Sequence, residues 1–204
     1  MNTTEIFPAA AQDSFEHITL EAAAELFSSV RYEDASLERI AQIAGVEPAE
    51  LITVFPTLHA AGAAVLTAEG NSMREAMATA RDMSSNPLEI LDHTFQLIGT
   101  NMAELKVVRA GMRLAAEARQ HFPERRIDPY RTWHAFVSGE LEAARNQGLL
   151  RNDIDIDSVT WLIVSAGMGT KDLVAFRDAW DEIAVRLSTT LSTVLQLVQT
   201  TDKR

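Results

Sequence analysis

Apolar residues recur every three or four positions along almost the whole chain, and no segment alternates at a period of two for long enough to form a strand. The pattern predicts an all-α fold. In "SFEHITLEAAAELFSSV" the residues Ile18, Ala22, Leu26 and Val30 share one face of a helix, with Phe15, Ala23 and Phe27 beside them. "RYEDAS" interrupts it, and Ser36 is placed to cap "LERIAQIA", which Gly45 ends because its backbone reaches the left-handed region without steric cost. Glu47 then stands at the next cap, with Pro48 at the first helical position, where the missing N–H is no loss. "ELITVF" continues that third short helix and Pro56 closes it. Beyond it the pattern predicts helices over Thr57 to Met83, Leu88 to Ala118 with a break near Gly99 to Leu105, Asp128 to Asn146, Asp157 to Phe176 and Asp178 to Val198. The division expected is a three-helix module over 1–55, joined directly to a larger helical body over 56–204.

Charge changes the picture of the first module. The chain carries −11 overall, and residues 1–60 hold ten carboxylates against only Arg31 and Arg39, a local charge of −8. Polyanions bind where Lys and Arg displace condensed counterions, so this third of the chain repels a phosphate backbone. No cysteine is present, which excludes disulfides and thiolate zinc sites and suits a reducing compartment. The first residues lack the pattern of a signal peptide, and no uninterrupted apolar run approaches the roughly 18 residues of a membrane span. A soluble, cytoplasmic protein with no membrane partner is the expectation.

A helix followed by a short helix, a Gly-Val turn and another short helix ending in Phe55 is the helix-turn-helix arrangement, in which the last helix enters the major groove. With "AAAELF" and "RYEDASLERIAQIAGV" in register, the chain resembles the TetR family of bacterial regulators. Further on, "VVRAGMRLAAEA", "PYRTWHAFVSGELEAARNQGLL" and "DIDIDSVTWLIVSAGMGT" are similar to the ligand domain of its γ-butyrolactone-receptor branch. The resemblance implies an Ω-shaped homodimer held by the last two helices of each subunit, a small apolar or lactone-like ligand, and no cofactor.

The departures from that family matter as much. Its members read "GV(S/T)KGxLYxHF" at the recognition helix, with phosphate-touching Lys, Tyr or His, and a further Lys opens the fourth helix. Here Glu47, Pro48, Ala49, Ile52, Val54 and Leu58 occupy those places, and Thr53 alone remains as a neutral hydrogen-bonding group. In the ligand domain Trp133 matches the cavity tryptophan, Glu69 stands where the branch has Gln, and Met168 where it has Thr. Read without the resemblance, Trp133 is equally a core residue and Glu69 a solvated one.

The sequence therefore points to a regulator of this branch that has lost ordinary operator binding and acts by sequestering ligand or by hetero-dimerising with a DNA-competent relative. Two other readings stay open: a repressor that reads its operator with an unusual surface, and an enzyme or carrier that has recruited the cavity, with Glu69 or His134 moving a proton. No metal site is expected. Asp153, Asp155 and Asp157 lack the Gly and Glu of a calcium loop and suit a helix cap, and no two of the five histidines have the spacing of a helical metal pair. Gly167 and Gly169 lie inside an apolar helix with no strand before it, where close packing at a dimer seam is expected rather than a phosphate loop.

Overall fold

The computed structural model describes the backbone of residues 9–200 and side chains from Ser14 onward. Among the described residues the principal elements are α-helices, joined by short 3-10 turns: α1 (Ala9–Ser29), α2 (Leu37–Ala44), α3 (Pro48–Val54), α4 (Leu58–Met83), α5 (Pro87–Glu104), α6 (Lys106–His121), α7 (Pro129–Asn146), α8 (Ile156–Arg177) and α9 (Ile183–Gln196). They gather into two compact units. The first takes the described residues through Asn71 with Leu105–Ile127, and the second takes Ser72–Glu104 with the described residues from Asp128 onward.

In the first unit, local chemistry sets the ends of the short helices. Ser36 accepts a hydrogen bond from the Arg39 N–H at 3.3 Å, and Gly45 ends α2 with a φ of 68°. Leu105 is extended between α5 and α6, so the predicted long helix breaks within the expected window. The core of the unit joins Leu26 and Phe27 of α1, Ile40 of α2, Leu51 and Phe55 around α3, Val65 of α4, Leu114 of α6, and Phe122. Polar ties reinforce the pairing of α1 with α6. Lys106 forms an ion pair with Glu25, the Tyr32 N–H donates to Glu117 Oε2 at 3.1 Å, and the Tyr32 ring meets Phe122 edge-on at 5.0 Å.

The second unit packs α5 against α9 and α8 against both α7 and α9. The α5–α9 seam is close. A Cβ built on Gly99 would lie 2.4 Å from the Ala184 backbone, so only a residue without a side chain fits. Asp178 adopts a left-handed φ of 50° and stops α8; Trp180–Glu182 then form a short 3-10 turn. That turn is why α9 begins at Ile183 rather than at the expected Asp178. Asp155 caps α8, accepting from the Asp157 N–H at 3.2 Å and the Ser158 hydroxyl at 2.6 Å. The Ser158 hydrogen bond holds the Asp155 carboxyl below its ordinary range, and Asp153 is lowered by its hydrogen bond from Arg151. The aspartate run thus serves the loop and cap, as its spacing suggests.

Gly167 faces its own chain, where a Cβ would stand 3.4 Å from the Phe95 ring, while Gly169 has nothing within 4 Å of that position. Helix α8 is long and apolar enough, by length and composition, to cross a membrane, which a count of uninterrupted apolar residues overlooks. Much of that apolar character lies outside: Trp161 and Phe176 are 71% and 90% exposed.

The seam yields a direct test. Gly99→Ala forces the Ala184 backbone away and should destabilise the protein by about 1–3 kcal/mol, the usual cost of overpacking. Thermal or urea unfolding measures it, with Gly169→Ala as a control that should change stability far less.

Candidate functional site

Helices α2 and α3 divide sharply into an inner and an outer face. Ile40, Ala41, Leu51 and Phe55 are buried in the first unit's core. Glu47, Pro48, Ala49, Glu50, Ile52 and Thr53 are exposed. Of the positions expected to touch DNA, Val54 and Leu58 are only half-buried and pack against that same core. The outer face offers few donors. Thr53 spends its hydroxyl on the Glu50 carbonyl at 2.6 Å, and the Glu50 carboxylate accepts the Glu47 N–H at 3.1 Å, half of a capping box.

Neither base of the first 60 residues relieves this. Arg31 pairs with Glu33 at 3.1 Å, and Arg39 donates to the Asp34 carbonyl at 3.0 Å. Hydrogen bonds from its own backbone N–H and from Ser36 hold the Glu38 carboxyl below its ordinary range, so it remains charged. Helix α3 presents carboxylates and apolar groups outward and no cation. Phosphate contacts require the opposite sign, and reading a base edge requires a side chain that can reach out and donate or accept.

The other candidates fall in different units. Glu69 is half-buried in the first, where its stem covers Gly111 of α6; a Cβ on Gly111 would lie 2.2 Å from that of Glu69. The glycine of the "RAGMRL" block is therefore a packing requirement. Trp133 and Met168, both half-buried, belong to the second unit. Trp133 meets Phe95 of α5 edge-on at 5.8 Å and Phe136 of α7 at 6.1 Å. Gly167, the neighbour of Met168, faces the same Phe95 ring, so α8 reaches the aromatic cluster through the glycine. His134 is bound to Asp157 at 3.1 Å on the exposed side of α7.

The second unit also holds features that the sequence reading missed. Arg81 stands over the Phe136 ring at 5.2 Å and donates to Glu140 Oε1 at 2.7 and 3.1 Å, pairing a carboxylate that is only 10% exposed. The hydroxyls of Thr94 and Thr160 are buried with no hydrogen-bond partner in the structure. Such groups are costly unless something bonds them. A groove of about 580 Å³ also opens beside α5 and α9, lined by Glu89, Asp92, Ser188, Ser192, Gln196 and Gln199 among others. No periodicity marks these positions, since each depends on which helices meet.

Solved structures share this architecture. A γ-butyrolactone receptor described as ArpA-like is 24% identical, over 92% of this chain and 99% of its own, with a TM-score of 0.72. CprB from S. coelicolor is 24% identical over 95% of this chain and 92% of its own, with a TM-score of 0.74. SmeT, the repressor of the Stenotrophomonas maltophilia efflux pump SmeDEF, is 18% identical over 92% and 91%, with a TM-score of 0.69. At these identities the likeness establishes the fold alone. No curated protein matches the sequence. Residues 84–197, more than half of the chain, match the family described as tetracyclin repressor-like, C-terminal domain, and the chain belongs to the TetR family of transcriptional regulators.

Proposed function

We propose that this protein is a ligand-responsive regulator of the γ-butyrolactone-receptor type that does not bind an operator in the ordinary way, and that it acts by sequestering ligand or by hetero-dimerising with a DNA-competent relative in the cytoplasm. One observation carries the reading: α3 has the backbone of a recognition helix, yet its outer face holds Glu47, Pro48, Ala49, Glu50, Ile52 and Thr53 and no cation. A hetero-dimer with one such module would leave its partner gripping a single half-site. The γ-butyrolactone receptor among the structural neighbours supports the ligand class, and the aromatic cluster at Trp133 with the orphaned Thr94 and Thr160 hydroxyls supports a ligand within the second unit. Met168 of the same unit joins the proposed ligand set by its aligned position, whereas Glu69 lies in the first unit, where its stem covers Gly111.

The homodimer is proposed through α8 and α9. Trp161, Leu173 and Phe176 of α8, with Val185 of α9 and Leu197 just after it, are each more than 60% exposed, and so much apolar surface favours burial against a second copy.

Three measurements test this. A DNA-reading protein that neutralises six to ten phosphates loses about 10³ to 10⁵ in affinity between about 50 and 200 mM salt, so even weak binding is visible at the lower value. No binding is expected there, on the protein's own promoter region or on any palindrome. Glu47→Thr with Pro48→Lys moves the module from −8 to −6 and should restore only salt-sensitive, non-specific binding. Tight, salt-resistant binding by the unmodified protein would favour the operator-reading alternative.

A γ-butyrolactone should quench tryptophan fluorescence and raise the melting temperature by mass action, and Trp133→Ala should remove both responses. An unchanged response in that variant would return Trp133 to a packing role. Light scattering at micromolar concentration should give a dimer mass, and Phe176→Glu with Trp161→Glu should give a folded monomer.

A further inference from the structure

The outer face of α2 and α3 has a composition that neither solvent nor DNA explains. Ile43 and Ile52 are 45% and 50% exposed, and Glu38 and Glu50 on the same two helices and Glu47 at the cap of α3 are exposed as well. None of these three carboxylates has a cationic partner among the described residues. Arg31 is held by Glu33, and Arg39 by the Asp34 carbonyl. Exposed apolar side chains beside three carboxylates, with Arg39 the one cation on these two helices, are the chemistry of a protein interface, where an apolar centre supplies affinity and complementary charge supplies specificity and on-rate. The charge excludes other occupants. A nucleic acid or an anionic membrane is repelled, and a second copy of the same face would oppose carboxylate with carboxylate.

We infer that the α2–α3 face is a protein-docking surface for a basic amphipathic helix, of the kind a DNA-binding protein presents to the major groove, and that docking there competes with DNA for that helix. The inference rests on the proposed loss of operator binding, and it gives the module a use for its acids beyond repulsion. Glu47 at the cap of α3, with Glu50 and Ile52 on it, is exposed at the turn and helix where a DNA-binding relative would carry its own basic groups.

The test uses the full-length protein and, as probe, a labelled synthetic helix with Lys and Arg flanking Leu and Tyr on one face, followed by fluorescence anisotropy at about 50 mM salt. Binding in the micromolar range is expected. Glu38→Gln, Glu47→Gln and Glu50→Gln together should weaken it by about tenfold or more and flatten its salt dependence. Glutamine at position 50 can still accept the Glu47 N–H, so the helix cap survives. Ile52→Ser should weaken binding about tenfold while leaving the salt dependence intact, and because Ile52 lies outside the core its melting temperature should be unchanged.

Absence of peptide binding, or binding indifferent to Ile52→Ser, would overturn the docking surface, the latter reducing it to diffuse charge. A labelled DNA duplex in parallel separates the two claims. Binding of the duplex overturns the proposed function and this inference together, whereas failure with both probes overturns the docking surface alone.

Discussion

The first unit depends on one apolar core in which α1, α2, α3 and parts of α4 and α6 converge on Phe27, Leu51 and Phe122. Each fully buried side chain of this size contributes about 1.5–3 kcal/mol relative to exposure, and the three short elements around the turn have no other source of stability comparable to it. The core uses only their inner residues. Ile40, Ala41, Leu51 and Phe55 must stay for the unit to fold, while the residues between them are free to change sign or polarity. A helix-turn-helix can therefore keep its outline after its outer chemistry is gone.

That freedom has been used in one direction. Along α3 the outward side chains are acid, apolar or internally bonded, and even the Thr53 hydroxyl is committed to the Glu50 carbonyl. Glu50 supports the helix through its bond to the Glu47 N–H, so its charge has a structural benefit as well as an electrostatic consequence. An exposed carboxylate at a helix start is favourable to the helix dipole by a few tenths of a kcal/mol, and its cost appears only when a phosphate approaches. At these positions the charge that suits the helix start is the one that disfavours an approaching phosphate.

In the second unit the dominant interactions are steric and aromatic. Gly99 against Ala184 sets the approach of α5 and α9, and Gly167 against Phe95 brings α8 to the ring that also meets Trp133. Polar groups are placed among these contacts. Glu140 is paired by Arg81, whereas Thr94 and Thr160 are not paired at all. Buried polar groups left without partners are costly, so these two hydroxyls stand apart from the rest of the core.

The sequence by itself determined the helices, their inner faces and their caps, because a period of three to four residues and the residues at helix ends are local properties. Ser36, Gly45 and Pro48 act where their chemistry places them, and the acidic outer face of α3 was legible from Glu47, Glu50 and Ile52 alone. Matching family words located Trp133, but not what it touches. Only the tertiary structure decided that Gly111 is covered by the stem of Glu69, that Gly167 serves Phe95 of its own chain, and that Arg81 answers Glu140 across 59 positions. Such pairings depend on which helix faces meet and how closely, and periodicity records that a face is buried without recording its partner.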